Sequence, residues 1–86
     1  MKLKQEASDK LFSRAKKLIP GGIFGPYKYA VREEGPKFFS KAKDAYFWDV
    51  DGNKYVDLIC GWGPMILGYN NPIIDKAAQS QYSSGN

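Results

Sequence analysis

The sequence has 86 residues, enough for one small domain at most. Its apolar fraction of 43% is too high for a disordered chain. Its net charge of +4 comes largely from Lys2, Lys4, Lys10, Arg14, Lys16 and Lys17, spread along one segment. That spread reads as a solvated face, and no RNP-type aromatic motif or zinc-finger spacing points to nucleic acid.

Residues 8–19 are expected to form an amphipathic helix. Leu11, Phe12, Ala15, Leu18 and Ile19 fall on one stripe at a period of 3.6. Ser8 is the expected N-cap, and Asp9 suits the positive end of the helix dipole. Pro20-Gly21-Gly22 stops the helix, because proline removes a donor and glycine permits positive φ. Residues 20–36 are expected as loop, punctuated by Gly25, Pro26, Gly35 and Pro36.

Residues 37–60 are expected to form a β-meander. Its strands are Lys37–Ser40, Ala45–Val50 and Lys54–Cys60, rich in aromatic and β-branched residues. Asp51-Gly52 predicts a type I′ hairpin turn, with positive φ at both central positions. Alternation puts Val56, Leu58 and Cys60 on one face and Tyr55 and Asp57 on the other. Residues 61–71 predict a Gly/Trp/Pro turn. Asn71 as N-cap and Pro72 at the first helical position open a second helix over 72–82. The pattern is therefore an α+β segment: helix, three-stranded antiparallel meander, helix.

Few residues suggest chemistry by themselves. Asp49-Val50-Asp51-Gly52-Asn53 lacks the glycine and glutamate positions of a calcium loop, and the hairpin explains it. Gly21, Gly22 and Gly25 lack the lysine and hydroxyl of a phosphate loop and follow a helix. Ser83-Ser84-Gly85 precedes no helix that would add a dipole. Cys60 is the one cysteine and there is no histidine, so no base is at hand to activate it. It is expected as a small core residue in a reducing, cytoplasmic setting. The basic N-terminus has no apolar core of a secretory leader, and no run is long enough for a membrane span. No metal site is expected. Trp62, between two glycines and before a proline, reads from composition as core.

The order of these features is more specific than any one. Leu11-Phe12-Ser13-Arg14-Ala15, then Leu18-Ile19-Pro20-Gly21-Gly22, resembles the opening of glutamate-1-semialdehyde 2,1-aminomutases and related class III aminotransferases. Ala42 to Asp57 resembles that group's N-terminal meander, and Trp62-Gly63-Pro64-Met65-Ile66-Leu67-Gly68 with Asn71-Pro72 continues the likeness. The resemblance implies the N-terminal part of the small domain of a fold-type-I enzyme using pyridoxal 5′-phosphate. It implies a homodimer acting on a small molecule, with no nucleic-acid or membrane partner. The Schiff-base lysine, phosphate cup and pyridinium aspartate of that group lie downstream of the matching stretch. No residue here is therefore expected to be catalytic or to bind the cofactor.

Two substrate-binding residues are implied. Trp62 matches a tryptophan lining the substrate pocket, which reverses the reading from composition. Lys28, in Gly25-Pro26-Tyr27-Lys28, stands where aminomutases carry a carboxylate-gripping arginine, and Gly25 replaces a serine. An ammonium does not reproduce a bidentate guanidinium. Gly68-Tyr69-Asn70-Asn71-Pro72 also replaces a histidine-containing stretch. The expected substrate is accordingly a different amine, amino acid or amino-sugar-like compound. The competing expectation is a stand-alone small α/β module binding a partner through its basic, aromatic surface.

Overall fold

The computed structural model describes residues 2–23 and 35–85. It contains helix α1 (Glu6–Leu18), a 3-10 turn (Pro20–Gly22), strands β1 (Phe39–Lys43), β2 (Tyr46–Asp49) and β3 (Lys54–Val56), and helix α2 (Pro72–Ser84). The strands form one antiparallel sheet in the order β1-β2-β3. The helix, three-stranded meander and helix expected from the sequence are thus all present.

The start of α1 differs from the expectation. The helix begins at Glu6, its Gln5 cap makes no side-chain capping bond, and Ser8 lies inside it, only 1% exposed. The cap comes from elsewhere in the chain. Asp51 Oδ1 accepts from Ala7 N at 2.6 Å, and Asp51 Oδ2 accepts from Ser8 N at 2.9 Å. A carboxylate there satisfies orphan amides and meets the positive end of the helix dipole. At the other end Ile19 turns extended, with its N–H on Ala15 O, and Gly21 and Gly22 take φ of 77° and 78°. A Cβ on Gly22 would stand 2.7 Å from the Phe12 ring, so glycine lets the chain close against the helix face.

The hairpin between β2 and β3 is also corrected. Gly52 N donates to Asp49 O at 3.1 Å, and of Asp51 and Gly52 only Gly52 has positive φ. Asp49 N then donates to Asn53 O, and Trp48 pairs with Lys54. This is a three-residue connection ending in a left-handed glycine, not a two-residue type I′ turn. Freed from the left-handed region, Asp51 can turn its carboxylate to α1.

Residues 49–53, which lack the glycine and glutamate positions of a calcium loop, bind one another and Tyr55. Asp49, 2% exposed, accepts from Asp51 N, Asn53 N, Asn53 Nδ2 and Tyr55 Oη at 2.8–3.0 Å. Burial pushes the Asp49 carboxyl up, but the bonds from Asn53, Tyr55 and Asp51 outweigh it and hold it below the usual carboxylate range. Asn53 also bonds both the N–H and the C=O of Lys4 through its side chain. The N-terminal residues are therefore sewn to the hairpin by polar groups.

The two faces of the sheet carry different aromatic sets. Phe47 lies 4.5 Å from Phe39 and 5.1 Å from Tyr55, stacked on the latter at 17°. Tyr46 and Trp48 alternate to the other face, where Lys54 Nζ sits 3.7 Å from the Tyr46 ring centre and Lys41 Nζ 4.8 Å from that of Trp48.

Alternation over residues 54–58 is as expected, yet the apolar face is the open one. Leu58 is 88% exposed, while Tyr55 and Asp57 are half-buried. Cys60 is no core residue of a strand. β3 ends at Val56, and Cys60 is half-buried in the following loop with φ 54°.

Helix α2 opens as its sequence directs. Asn71 Oδ1 accepts from Ile73 N and Ile74 N, with Pro72 at the first position. No α2 residue is buried, and among the described residues no hydrophobic side chain is fully buried. None of the described helices is long and apolar enough to cross a membrane.

Candidate functional site

The loop between β3 and α2 gathers the features that point to function. Asp57 closes its near end. Asp57 Oδ1 accepts from Ile59 N at 2.8 Å and Cys60 N at 3.0 Å. These bonds bend the chain immediately after the strand, as an Asx-type turn does. Trp62 N then donates to Ile59 O, and both Gly63 N and Met65 N approach the Cys60 carbonyl.

The far end returns to the sheet. Tyr69 N donates to Asp44 O at 2.8 Å, and Asp44 N donates to Tyr69 O at 3.0 Å. Gly68 makes this closure possible, since a Cβ there would stand 2.6 Å from Asp44 O. Tyr69 Oη donates to Asp57 Oδ2 at 2.7 Å and ties the two ends together. The Cys60 amide first, then Tyr69 and Ile59, hold the Asp57 carboxyl below its ordinary value. The same carboxylate pushes the Tyr69 hydroxyl up.

The apex is tightly wound. Cys60, Gly61, Trp62 and Gly63 have φ of 54°, 59°, 70° and 105°. For cysteine and tryptophan a left-handed backbone costs about 1–2 kcal/mol each, so the loop holds them there against local preference. The result presents the Trp62 indole outward, 77% exposed. An expectation of Trp62 as core, drawn from composition, is thus corrected. Lys28 lies outside the described residues, so Trp62 is the one implied site residue this geometry describes.

Two open hollows flank the loop. One, of about 210 Å³, is lined by Asp44, Asp57, Cys60, Met65 and Gly68 among others. A second, of about 390 Å³, lies between the loop and α2 and includes Pro64, Leu67, Ile74 and Asp75. The first is acidic and apolar, the second apolar with Tyr69, Asn70, Asn71 and Asp75, and neither has a lysine or arginine in its wall. No cluster of metal-ligating side chains occurs among the described residues.

Sequence reasoning missed the Asp57–Tyr69 tie. Its one local signal is the aspartate two and three residues ahead of Ile59 and Cys60, a spacing that suits a side-chain-closed turn. Tyr69 gave no comparable signal, because its partner lies across the loop.

The sequence profile for aminotransferase class-III matches residues 29–86, and the chain belongs to that family. It is 47% identical over 88 aligned residues to the glutamate-1-semialdehyde 2,1-aminomutase of Polynucleobacter asymbioticus, covering 95% of this chain and 20% of that protein. It is 45% identical over 75 residues to glutamate-1-semialdehyde 2,1-aminomutase 1 of Lachnoclostridium phytofermentans, covering 85% and 18%. Its fold superposes on the Sphingopyxis sp. MTA144 FumI protein, solved in its PLP internal aldimine form, with TM-score 0.78 and 38% identity over 90% of this chain and 19% of that one. An omega-transaminase from Sphaerobacter thermophilus gives TM-score 0.77 at 26% identity, covering 92% and 18%. The chain thus spans about a fifth of the length of the relatives it matches.

Pyridoxal phosphate is the cofactor of this family. The hollows described above do not fit it. Its phosphate needs cations or free helix-N-terminal amides and its aldehyde an amine, whereas these walls hold no lysine or arginine and the α2 N-terminus beside the larger hollow is already capped by Asn71.

Proposed function

We propose that this chain supplies the substrate-facing wall of a pyridoxal-phosphate enzyme that moves an amino group on a small amine, amino acid or amino-sugar-like substrate. The observation that carries the reading is Trp62, held outward at the apex of a loop closed at both ends, in a chain of class III aminotransferase sequence. A large aromatic face suits the apolar body of a small substrate, and cofactor chemistry belongs to residues outside this segment. Lys28 is proposed as the second pocket residue. It offers a point charge to an anionic or polar substrate group where a bidentate arginine would select a carboxylate.

Assembly as a homodimer in the cytoplasm belongs to the same proposal. The stand-alone binding module is disfavoured, because none of the described hydrophobic side chains is fully buried. The test is an assay of the full-length enzyme with glutamate 1-semialdehyde set against a panel of amines, ω-amino acids and amino sugars. Faster turnover of a panel compound is expected. Preferred turnover of glutamate 1-semialdehyde overturns the substrate reading, and inactivity toward every amino donor overturns the function.

A further inference from the structure

We propose that Asp57 and Tyr69 form a positioning pair that sets where Trp62 stands in the substrate pocket, and so act on substrate affinity without touching substrate. The inference deepens the proposed function and rests on it. Three observations on the loop carry it. The Tyr69 hydroxyl and the Ile59 and Cys60 amides all converge on the Asp57 carboxylate, at 2.7, 2.8 and 3.0 Å. Trp62 is bonded in turn to Ile59, through its N–H on Ile59 O at 3.0 Å. Cys60 and Trp62 both sit at positive φ, which neither residue favours unaided. The path from the Tyr69 hydroxyl to the tryptophan backbone is therefore short and continuous: Tyr69, Asp57, Ile59, Trp62.

The Asp44–Tyr69 backbone bridge closes the loop whether or not the hydroxyl is present. Removing the hydroxyl should therefore leave the loop in place and release only its near half. This separates positioning from folding.

The test uses the full-length enzyme with Tyr69→Phe, Trp62→Ala and the double variant. Tyr69→Phe is expected to raise KM for the amino substrate about tenfold, as loss of a hydrogen bond to a charged acceptor allows, with kcat little changed. In the Trp62→Ala background the same substitution is expected to do nothing further to KM, since its effect passes through the indole. Amide exchange at Ile59, Cys60 and Trp62 is expected to quicken in Tyr69→Phe, while exchange in β1 and β2 stays unchanged. An unchanged KM in Tyr69→Phe, or an equal rise with and without Trp62, overturns the proposal. If Trp62→Ala alone leaves KM unaltered, the pocket reading of Trp62 falls, and the claim that the pair acts on affinity falls with it. The exchange data then report separately whether the pair holds the loop.

Discussion

Asp49 shows how one side chain can organise a turn. It is nearly sealed from water, yet four donors reach it, so its charge stays favourable despite burial. Asp49→Ala strands the Tyr55 hydroxyl and the backbone N–H groups of Asp51 and Asn53, and is expected to cost the full-length enzyme about 1–3 kcal/mol in urea unfolding. Tyr55 reports the same contact from the alkaline side. Burial first, then the bond to Asp49 and its charge, push the Tyr55 hydroxyl up to about 12. A raised native pKa means that the contribution is complete below the ordinary tyrosine value of about 10 and is lost as pH climbs through the raised value. Ultraviolet titration should show a tyrosinate that forms near pH 12 and is lost in Tyr55→Phe. The carboxylates run the opposite way. Asp49, Asp51 and Asp57 are all lowered, so their contributions are complete above about pH 4 and vanish as pH falls through the depressed values. An acid unfolding curve that begins well above pH 4 would contradict this assignment. The sequence made these residues visible as turn formers but not as acceptors for one another, because the bonds depend on how the turn is wound.

At the scale of elements, Gly68 carries the connection between sheet and loop. Its φ of 81° and the backbone oxygen of Asp44 both exclude a side chain. Gly68→Ala should cost more than the about 1–2 kcal/mol of the left-handed backbone alone, since a backbone atom cannot swing aside as a side chain can. The expected signature in thermal unfolding is a larger loss than Gly22→Ala, where the obstructing atoms belong to the Phe12 and Lys16 side chains. Helix α2 could be read from sequence at its start, because Asn71 and Pro72 act on their immediate neighbours. The start of α1 could not, because its cap comes from Asp51, 43 residues beyond Ser8. The meander could be read from alternation, but alternation says only that two faces differ. Which face is covered depends on what lies against it, and here that is the polar Asn53, Tyr55 and Asp57 side.

The molecule as a whole is spread out. Its radius of gyration is 15.6 Å, against about 12 Å for a compact domain of this length. Leu58, Ile66, Ile73 and Tyr82, at intervals along the chain from the end of β3 through α2, all lie open. Apolar exposure of this extent is mostly covered in stable proteins. A preparation of these 86 residues alone is expected to bind the dye ANS and to sediment as larger species. A dye-silent monomer with dispersed amide signals would instead revive the stand-alone module. The family could be read in the sequence because its motifs occur in order, whereas the exposure of Trp62 depends on how its loop is wound.

The cap that Asp51 places on α1 also has a kinetic side. A hairpin closing over three residues forms in about 1–10 μs, whereas a bond from Asp51 to Ala7 must close a span of 44 residues. Gln5 makes no side-chain capping bond to the first turn. The opening turn of α1 is therefore among the last parts to assemble and the first to fray. Replacing Asp51 by alanine should leave the folding rate almost untouched and appear as faster unfolding, with Ala7 and Ser8 amides exchanging earliest.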